Sequence, residues 1–424
     1  MRIKIAIIGL GYVGLPLARL FSTKYETIGF DINKDRVSEL NSGCDSTLEI
    51  SDSLLSSALS NGLKCTTNIE DIRDCNFYII AVPTPIDSNN YPDLKPLLGA
   101  SDIVGKVLKH GDIVVYESTV YPGVTEEECI PIIEKVSGLK YNRDFFAGYS
   151  PERINPGDKE HTVEKIKKIT SGSTPDIADI IDNVYNSVLV NGTHKAPSIR
   201  VAEAAKIIEN AQRDVNIAFV NELAKIFNAM DIDTRDVLAA AESKWNFIKV
   251  SPGLVGGHCI SVDPYYLIQK AQVYKVFPRI MTNSRRLNDA MGDYVANRTI
   301  MLMNKKGIVV KDSAILILGI TFKENCPDIR NTKVADIYKI FSEYTKNITV
   351  CDPIANRGKV EREYGIKIYN ESIVGLYGKF DAVVLAVAHS QFKSCEVRKF
   401  LRREDGVVYD VKGVLPRSDI DGRL

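Results

Sequence analysis

The residues Lys4-Ile5-Ala6-Ile7-Ile8-Gly9-Leu10-Gly11-Tyr12-Val13-Gly14, near the start of the chain, form its most informative segment. A short apolar run rich in β-branched residues leads directly into glycines spaced GxGxxG, and apolar residues continue from Leu15 to Phe21. This order predicts a strand, a glycine turn and a helix. The amides of such a turn, at the N-terminus of a helix, bind a pyrophosphate, so the segment predicts a dinucleotide site.

A second apolar strand, from Thr27 to Phe30, ends at Asp31, which lies 22 residues after Gly9. An acid at about this distance bonds the ribose 2′-hydroxyl of NAD and repels the 2′-phosphate of NADP. We therefore predict NAD as the cofactor. The residues predicted to bind it in this part of the chain are Gly9, Gly11, Tyr12, Val13, Gly14, Asp31 and Arg36.

Two further buried-type strands, Phe77 to Val82 and Ile113 to Tyr116, end in small or polar residues. Ligands of open α/β sheets lie beyond the carboxyl ends of the strands. Pro83 and Thr84 after the first of these strands, and Ser118 and Thr119 after the second, therefore complete the predicted cofactor site.

The last third of the chain repeats the pattern of the first. Strand-like runs occur at 314–318, 348–351, 381–388 and 407–411, and the second of them ends at Asp352, as the earlier one ends at Asp31. No glycine fingerprint accompanies them. We infer a second doubly wound domain that holds a nucleotide-like substrate rather than a second NAD.

Between these parts, apolar residues recur at helical spacing from Ser198 to about Met230 without Gly or Pro. A helix of that length either links two domains or builds a dimer interface. The predicted class is α/β, with two doubly wound Rossmann-like domains joined by a long central helix and a helical region. The predicted domains are residues 1–197, 198–305 and 306–424.

Composition excludes several classes of protein. The 54 basic and 54 acidic residues cancel, which argues against a nucleic-acid partner. Eight scattered cysteines with no CxxC pair predict no metal site and a reducing, cytoplasmic location. The apolar start resembles a signal peptide only superficially, because the run breaks at Arg19, and no apolar stretch reaches the ~20 residues that span a bilayer.

Cys259 is the candidate nucleophile. It follows Gly256 and Gly257, which would let backbone approach a ligand, and Asp263 lies four residues later. A thiolate traps an aldehyde as a thiohemiacetal, which can lose a second hydride. The pattern thus favours oxidation of an alcohol to an acid, although most free cysteines are buried fillers. His258 is interpreted as shaping the pocket or backbone.

Other candidates are weaker by spacing alone. Lys206 and Asn210 lie four apart on the long helix and suit an oxyanion, yet a solvated lysine is the simpler alternative. Glu152 is either a general base or a loop acid in a surface ion pair. Lys323 and Arg330 form a phosphate clamp or belong to a charged loop.

Seven ordered motifs identify a resemblance along essentially the whole chain. They are GlyXGlyTyrValGly at 9–14, ValProThrPro at 82–85, GluSerThrVal at 117–120, SerProGluArg at 150–153, the Lys206/Asn210 pair, GlyGlyXCys at 256–259 and PheLys…AspXArg at 322–330. The chain resembles the UDP-glucose/GDP-mannose dehydrogenase family. The resemblance implies an NAD domain, a central helical dimerisation region, a UDP-sugar domain and a homodimer.

It also implies roles for individual residues. Cys259 resembles the thiol that forms the thiohemiacetal and thioester, and Lys206 and Asn210 resemble the groups that stabilise oxyanions. Asp263 would assist proton transfer and Glu152 thioester hydrolysis, while Thr119 would position water. Arg330 would reach the NAD, Lys323 the substrate nucleotide, and Gly256 and Gly257 the substrate. The implied reaction consumes two NAD and one water.

Within the family, the residues from Gly256 to Tyr266 resemble the branch acting on UDP-N-acetylhexosamines, because Val262 stands where the UDP-glucose branch has lysine. Segments 76–85, 116–122, 149–159 and 244–247 resemble UDP-N-acetylglucosamine 6-dehydrogenases of capsular polysaccharide synthesis, although Ser261 departs from their usual glycine. The galacto and manno epimers remain alternative substrates. A two-electron hydroxyacid-type dehydrogenase and an NAD-sensing scaffold remain less favoured alternatives.

Overall fold

The computed structural model describes residues 2–87, 90–154, 162–257 and 259–424. The chain divides into two compact units, which are Met1–Glu209 with Tyr265–Val276, and Asn210–Pro264 with Phe277–Leu424. The domain boundaries expected at residues 197 and 305 stay predictions.

The first unit is built on a parallel sheet with the strand order β3-β2-β1-β4-β5-β6. Its strands are β1 (Lys4–Ile8), β2 (Glu26–Phe30), β3 (Lys64–Thr66), β4 (Phe77–Ile80), β5 (Ile113–Tyr116) and β6 (Phe146–Tyr149). A separate parallel pair joins β7 (Lys168–Thr170) to β8 (Thr193–Lys195). This is the doubly wound order of dinucleotide-binding domains.

Both faces of this sheet are covered. Along β1, Ile5 and Ile7 pack into one apolar cluster, whereas Ala6 and Ile8 pack into another. Successive strand residues point to opposite faces, so a continuous apolar run is what a two-sided core requires. The helices are α1 (Gly14–Ser22), α2 (Lys34–Asn41), α3 (Asp52–Ser60), α4 (Lys95–Gly105), α5 (Ile130–Ser137) and α6 (Pro175–Asn186).

The predicted long helix is present as α7 (Ile199–Ala229), which has 31 residues and therefore extends about 46 Å. No Gly or Pro interrupts it. The next helices along the chain are α8 (Thr234–Glu242), α9 (Asp263–Val273), α10 (Arg279–Asp289) and α11 (Met291–Lys305). Within the described residues, no helix combines the length and hydropathy needed to cross a membrane.

The second unit contains a parallel sheet with the order β11-β10-β9-β12-β13-β14, which repeats the winding of the first. Its strands are β9 (Ile315–Leu318), β10 (Ile348–Cys351), β11 (Ile368–Tyr369), β12 (Ala382–Leu385), β13 (Val407–Asp410) and β14 (Gly422–Arg423). The helices are α12 (Val334–Tyr344), α13 (Arg357–Tyr364) and α14 (Ser390–Lys393). The predicted α/β class with two doubly wound sheets and a long central helix is confirmed.

Candidate active site

The glycine turn after β1 has the form that a pyrophosphate requires. Gly9 has a φ of +94°, and a Cβ on Gly14 would lie 1.7 Å from the carbonyl oxygen of Gly9. A Cβ on Gly11 would meet nothing within 4 Å, so the turn is open at that residue. Helix α1 begins at Gly14 without a side-chain cap. An open turn before an uncapped helix N-terminus fits the diphosphate of NAD.

Asp31 and Arg36 brace this turn. The carboxylate of Asp31 accepts hydrogen bonds from the backbone N–H of Leu10 at 2.8 Å and of Asn33 at 2.9 Å. The guanidinium of Arg36 donates to the carbonyl of Leu10 at 3.0 Å and to Asp45 at 2.7 Å. Arg36 therefore supports the turn through Leu10, and its direct contact with the cofactor stays a prediction.

The other predicted cofactor residues of the first unit lie at the same edge of the sheet. Thr84 donates its hydroxyl to the carbonyl of Thr119 at 2.7 Å, and Ser118 donates to the carbonyl of Val82 at 2.6 Å. These bonds join the segments after β4 and β5. Strands β1 and β4 are neighbours at the point where the strand order reverses, which is where such sheets bind ligands. Pro83 and the half-buried Tyr12 and Val13 belong to the same segments.

In the loop at 150–154, the neighbouring charged residues Glu152 and Arg153 have different partners. Arg153 forms an ion pair with Glu209 at 2.7 Å, whereas no ion pair of Glu152 occurs among the residues that the structure describes. One carboxylate oxygen of Glu152 accepts the N–H of Ile154, and the other is buried with no hydrogen-bond partner among the described residues. A buried carboxylate oxygen without a protein partner can accept a hydrogen bond from a ligand or from water.

The long helix carries the predicted oxyanion groups. Lys206 and Asn210 are each only 5% exposed, so the alternative of a solvated lysine is wrong. Within the second unit, the amide of Asn210 donates to the carboxylate of Asp263 at 2.5 Å, although 53 residues separate them. The structure thus brings together two of the predicted catalytic residues.

Cys259 opens a helical turn that runs into α9. Its carbonyl accepts the backbone N–H of Asp263 at 2.8 Å, and the side chain of Cys259 is half-buried. The thiol therefore precedes a helix N-terminus, an environment that stabilises anions. His258, which was expected to shape the pocket, and residues 155–159 of the segment 149–159 lie outside the described residues.

The two glycines before Cys259 lie against another segment of the second unit. Gly257 has a φ of +84°, and its Cβ would lie 2.8 Å from the ring of Phe322. A Cβ on Gly256 would lie 2.7 Å from the carbonyl oxygen of Asn331. These glycines admit the protein's own segment 322–331 against the Cys259 loop, and the expectation that they also let backbone approach a ligand stays a prediction.

Hydrogen bonds fasten this contact. The N–H of Gly257 donates to the carbonyl of Arg330 at 3.0 Å, and Asn331 donates its amide to the carbonyl of Gly257 at 2.9 Å. Ser261 donates its hydroxyl to the same carbonyl at 2.5 Å. The serine that departs from the family pattern is thus part of the loop's own bonding.

A cleft in the second unit lies beyond the carboxyl ends of β9 and β12, again where the winding reverses. The cations that line it are Lys333 and Lys412. Sequence reasoning missed both, although Lys412 comes after β13 as Ser118 comes after β5. Arg330 is held by Asp328 at 2.6 Å, and Lys323 is half-buried.

Comparison with known proteins identifies the family. Models of the UDP-glucose/GDP-mannose dehydrogenase family match in order: the NAD binding domain at residues 3–189, the central domain at 200–290 and the UDP binding domain at 316–417. The solved structure of a UDP-D-ManNAc dehydrogenase from Pyrococcus horikoshii superposes with a TM-score of 0.90 at 29% identity, covering 99% of this chain and 98% of that one.

Sequence relatives are similar from end to end. The chain is 55% identical over 427 residues to a UDP-N-acetyl-D-glucosamine 6-dehydrogenase of Pseudomonas aeruginosa, covering 100% of this chain and 99% of that protein. It is 56% identical over 425 residues to one of Salmonella typhi, with the same coverage, and 49% identical over 422 residues to Protein CapL of Staphylococcus aureus, covering 99% and 98%. The chain therefore belongs to the UDP-glucose/GDP-mannose dehydrogenase family of NAD-dependent oxidoreductases.

Proposed function

We propose that this chain oxidises UDP-N-acetyl-D-glucosamine at C6 to the uronic acid, as a step in the synthesis of a surface polysaccharide. The observation that carries the proposal is the end-to-end similarity, at 55% and 56% identity, to two UDP-N-acetyl-D-glucosamine 6-dehydrogenases. The position of Cys259, at the start of a helical turn and four residues before Asp263, supplies the chemistry.

The reaction proceeds through two oxidations, with a covalent intermediate on Cys259, and a final hydrolysis. Oxidation of the C6 alcohol gives an aldehyde, a hydride and a proton. The sulfur of Cys259 adds to the aldehyde carbon and forms a thiohemiacetal, whose oxidation gives a thioester with loss of a second hydride and proton. Water then cleaves the thioester to a carboxylate and regenerates the thiol. NAD, when bound, accepts one hydride in each oxidation, so two are consumed.

The residues of the chain divide the remaining work. Lys206 and Asn210 stabilise the negative oxygen on C6 in each intermediate. An amide nitrogen has two N–H groups, so Asn210 can hold Asp263, as it does here, and still donate to that oxygen. Asp263 assists proton transfer at Lys206. Glu152 assists the attack of water on the thioester, and Thr119 positions that water.

Binding is assigned to the remaining predicted residues. Gly9, Gly11 and Gly14 hold the pyrophosphate of NAD and Asp31 its ribose, with Tyr12, Val13, Arg36, Pro83, Thr84, Ser118 and Arg330 completing the set. The substrate is held by Glu152, Lys206, Asn210, Gly256, Gly257 and Lys323. The support is local geometry: the open glycine turn and the buried carboxylate oxygen of Glu152.

We further propose that the chain is a cytoplasmic homodimer with domains at residues 1–197, 198–305 and 306–424. On α7, the exposed apolar side chains of Val201, Ile208, Phe219 and Ile226 are spaced 7, 11 and 7 residues apart. At 100° per residue they lie within about 20° of one line along the helix. An apolar stripe of this kind on an exposed helix face supports a helix-to-helix interface.

The test is product analysis with each epimer. UDP-N-acetylglucosamine, -galactosamine and -mannosamine are incubated separately with NAD, and the products are identified by mass spectrometry and NADH is counted per sugar. We expect two NADH per sugar and the highest kcat/KM with the gluco epimer. Preference for another epimer would change the substrate. One NADH per sugar, with Cys259→Ala fully active, would overturn the mechanism in favour of a two-electron dehydrogenase.

A further inference from the structure

A fully buried ion pair lies behind the Glu152 loop, and the mechanism above does not use it. Lys168 on β7 and Glu117 after β5 are both 0% exposed, and their side chains meet at 2.6 Å. Tyr185 donates its hydroxyl to the second carboxylate oxygen of Glu117 at 2.7 Å. Burial raises the pKa of Glu117 to about 7, while the charge of Lys168 opposes that rise. A buried pair of this kind rarely stabilises a fold more than apolar residues would.

The pair also holds one peptide of the loop at both of its polar atoms. The ammonium of Lys168 donates to the carbonyl of Pro151 at 3.1 Å. The N–H of Glu152, in the same peptide unit, donates to the backbone carbonyl of Glu117 at 3.4 Å. The backbone at the start of Glu152 is therefore fixed from two sides.

What this peptide fixes is the direction of a carboxylate. One oxygen of Glu152 is turned to the N–H of Ile154, and the other is buried and has no partner in the described part of the chain. The loop has no secondary structure at 151–154 to hold it. Because a small displacement of a reacting group costs a large factor in rate, a rigid anchor at this peptide matters.

We propose that Lys168 and Glu117 are positioning residues that hold Glu152 for hydrolysis of the thioester. The inference rests on the role of Glu152 in the proposed function. It adds two residues, 51 positions apart in sequence, that touch neither the substrate nor the cofactor themselves.

The test separates positioning from folding. Lys168→Met removes the anchor but leaves Glu117 buried without its cation, so it also lowers stability. Lys168→Met/Glu117→Gln removes both charges, which restores stability while the anchor stays absent. The matched control is Thr170→Val, on the same strand, which removes a partly buried hydrogen bond of 2.6 Å to Asp182 that does not touch the loop. Thermal midpoints are recorded for every variant.

Rapid-mixing kinetics and intact-protein mass spectrometry after acid quenching give the readout. We expect Lys168→Met and Lys168→Met/Glu117→Gln to release a burst of NADH and then to turn over at least about tenfold more slowly than the wild type. The uronyl thioester should accumulate on Cys259 in both variants. Glu152→Gln should do the same, and Thr170→Val should turn over without accumulating thioester.

The positioning role would be overturned if the double variant hydrolysed the thioester at the wild-type rate, or if the two oxidations and the hydrolysis were slowed equally. Either result would leave the proposed function intact. Failure of the proposed function has a different signature. In that case the wild type forms one NADH per sugar, or Glu152→Gln accumulates no thioester, and the positioning role is overturned with it.

Discussion

Single residues in the Cys259 loop are constrained by contacts within the protein. Gly256 and Gly257 leave no room for a Cβ between the loop and Phe322 or Asn331. Two hydrogen bonds join Gly257 to that segment, from its N–H to the carbonyl of Arg330 and to its carbonyl from the amide of Asn331, and Ser261 donates to the same carbonyl from within the loop. The loop that carries the nucleophile is thus held against segment 322–331 through Gly257, two residues before Cys259.

Gly257→Ala should therefore impair both folding and chemistry. The new Cβ combines a positive φ with a contact of 2.8 Å to the ring of Phe322. We expect a loss of about 2–4 kcal/mol of stability and a kcat lower by at least about tenfold, because the loop must shift. Gly365→Ala is the control, since Gly365 also has a positive φ, of +69°, but its Cβ would meet nothing within 4 Å. Equal losses of kcat in the two variants would contradict this account.

At the scale of elements, the two sheets differ in the bonding of the aspartate after their second strand. Asp31 after β2 accepts from two backbone N–H groups, those of Leu10 and Asn33. Asp352 after β10 is fully buried and accepts from the N–H groups of Ile320, Thr321, Ile354 and Ala355, and from the ring of His389 at 3.1 Å. With its oxygens occupied, Asp352 has no capacity for a ribose. This bonding agrees with the prediction that the second sheet, despite the same winding, holds a nucleotide-like substrate rather than a second NAD.

The turn before β5 contains an acid whose burial is costly. Asp112 is 3% exposed, and burial raises the pKa of its carboxyl to about 6, although the N–H of Lys109 donates to it at 2.8 Å. The folded protein thus binds the proton more tightly than the unfolded chain, whose aspartate titrates near pH 4. Stability contributed at this site is therefore present below about pH 4 and is lost as the pH rises to about 6.

Asp112→Asn should remove this pH dependence, because the amide oxygen can still accept the N–H of Lys109 and carries no charge. We expect the variant to gain about 1–3 kcal/mol relative to the wild type between pH 4 and pH 7. Thermal midpoints of both proteins at several pH values measure the gain. A constant difference between them across this range would show that Asp112 does not titrate on unfolding.

At the scale of the whole molecule, the apolar stripe on α7 predicts self-association. Phe219→Glu/Ile226→Glu places two charges in the stripe and should convert a dimer into monomers, halving the mass found by size-exclusion chromatography with light scattering. Val374→Glu is the control, because Val374 is similarly exposed but lies away from the helix in sequence. A wild-type monomer, or a double variant that remains a dimer, would contradict the proposed interface.

Local sequence determined most of the architecture and the candidate list. The apolar runs, the glycine spacing and the unbroken 31-residue helix are properties of neighbouring residues, which hydrophobic period and turn chemistry report directly. Motif order then supplied roles for Cys259, Lys206 and Glu152. Such patterns could not say whether Lys206 is buried or which of Glu152 and Arg153 forms an ion pair.

Contacts between distant residues came from the tertiary structure alone. The Asn210–Asp263 bond, the Lys168–Glu117 anchor and the packing of Gly257 on Phe322 join positions more than 50 residues apart. Each depends on which strands are neighbours and which loops meet at a sheet edge. A pattern along the chain has no information on that geometry, because the winding of the sheet, and not sequence separation, brings such side chains within bonding distance.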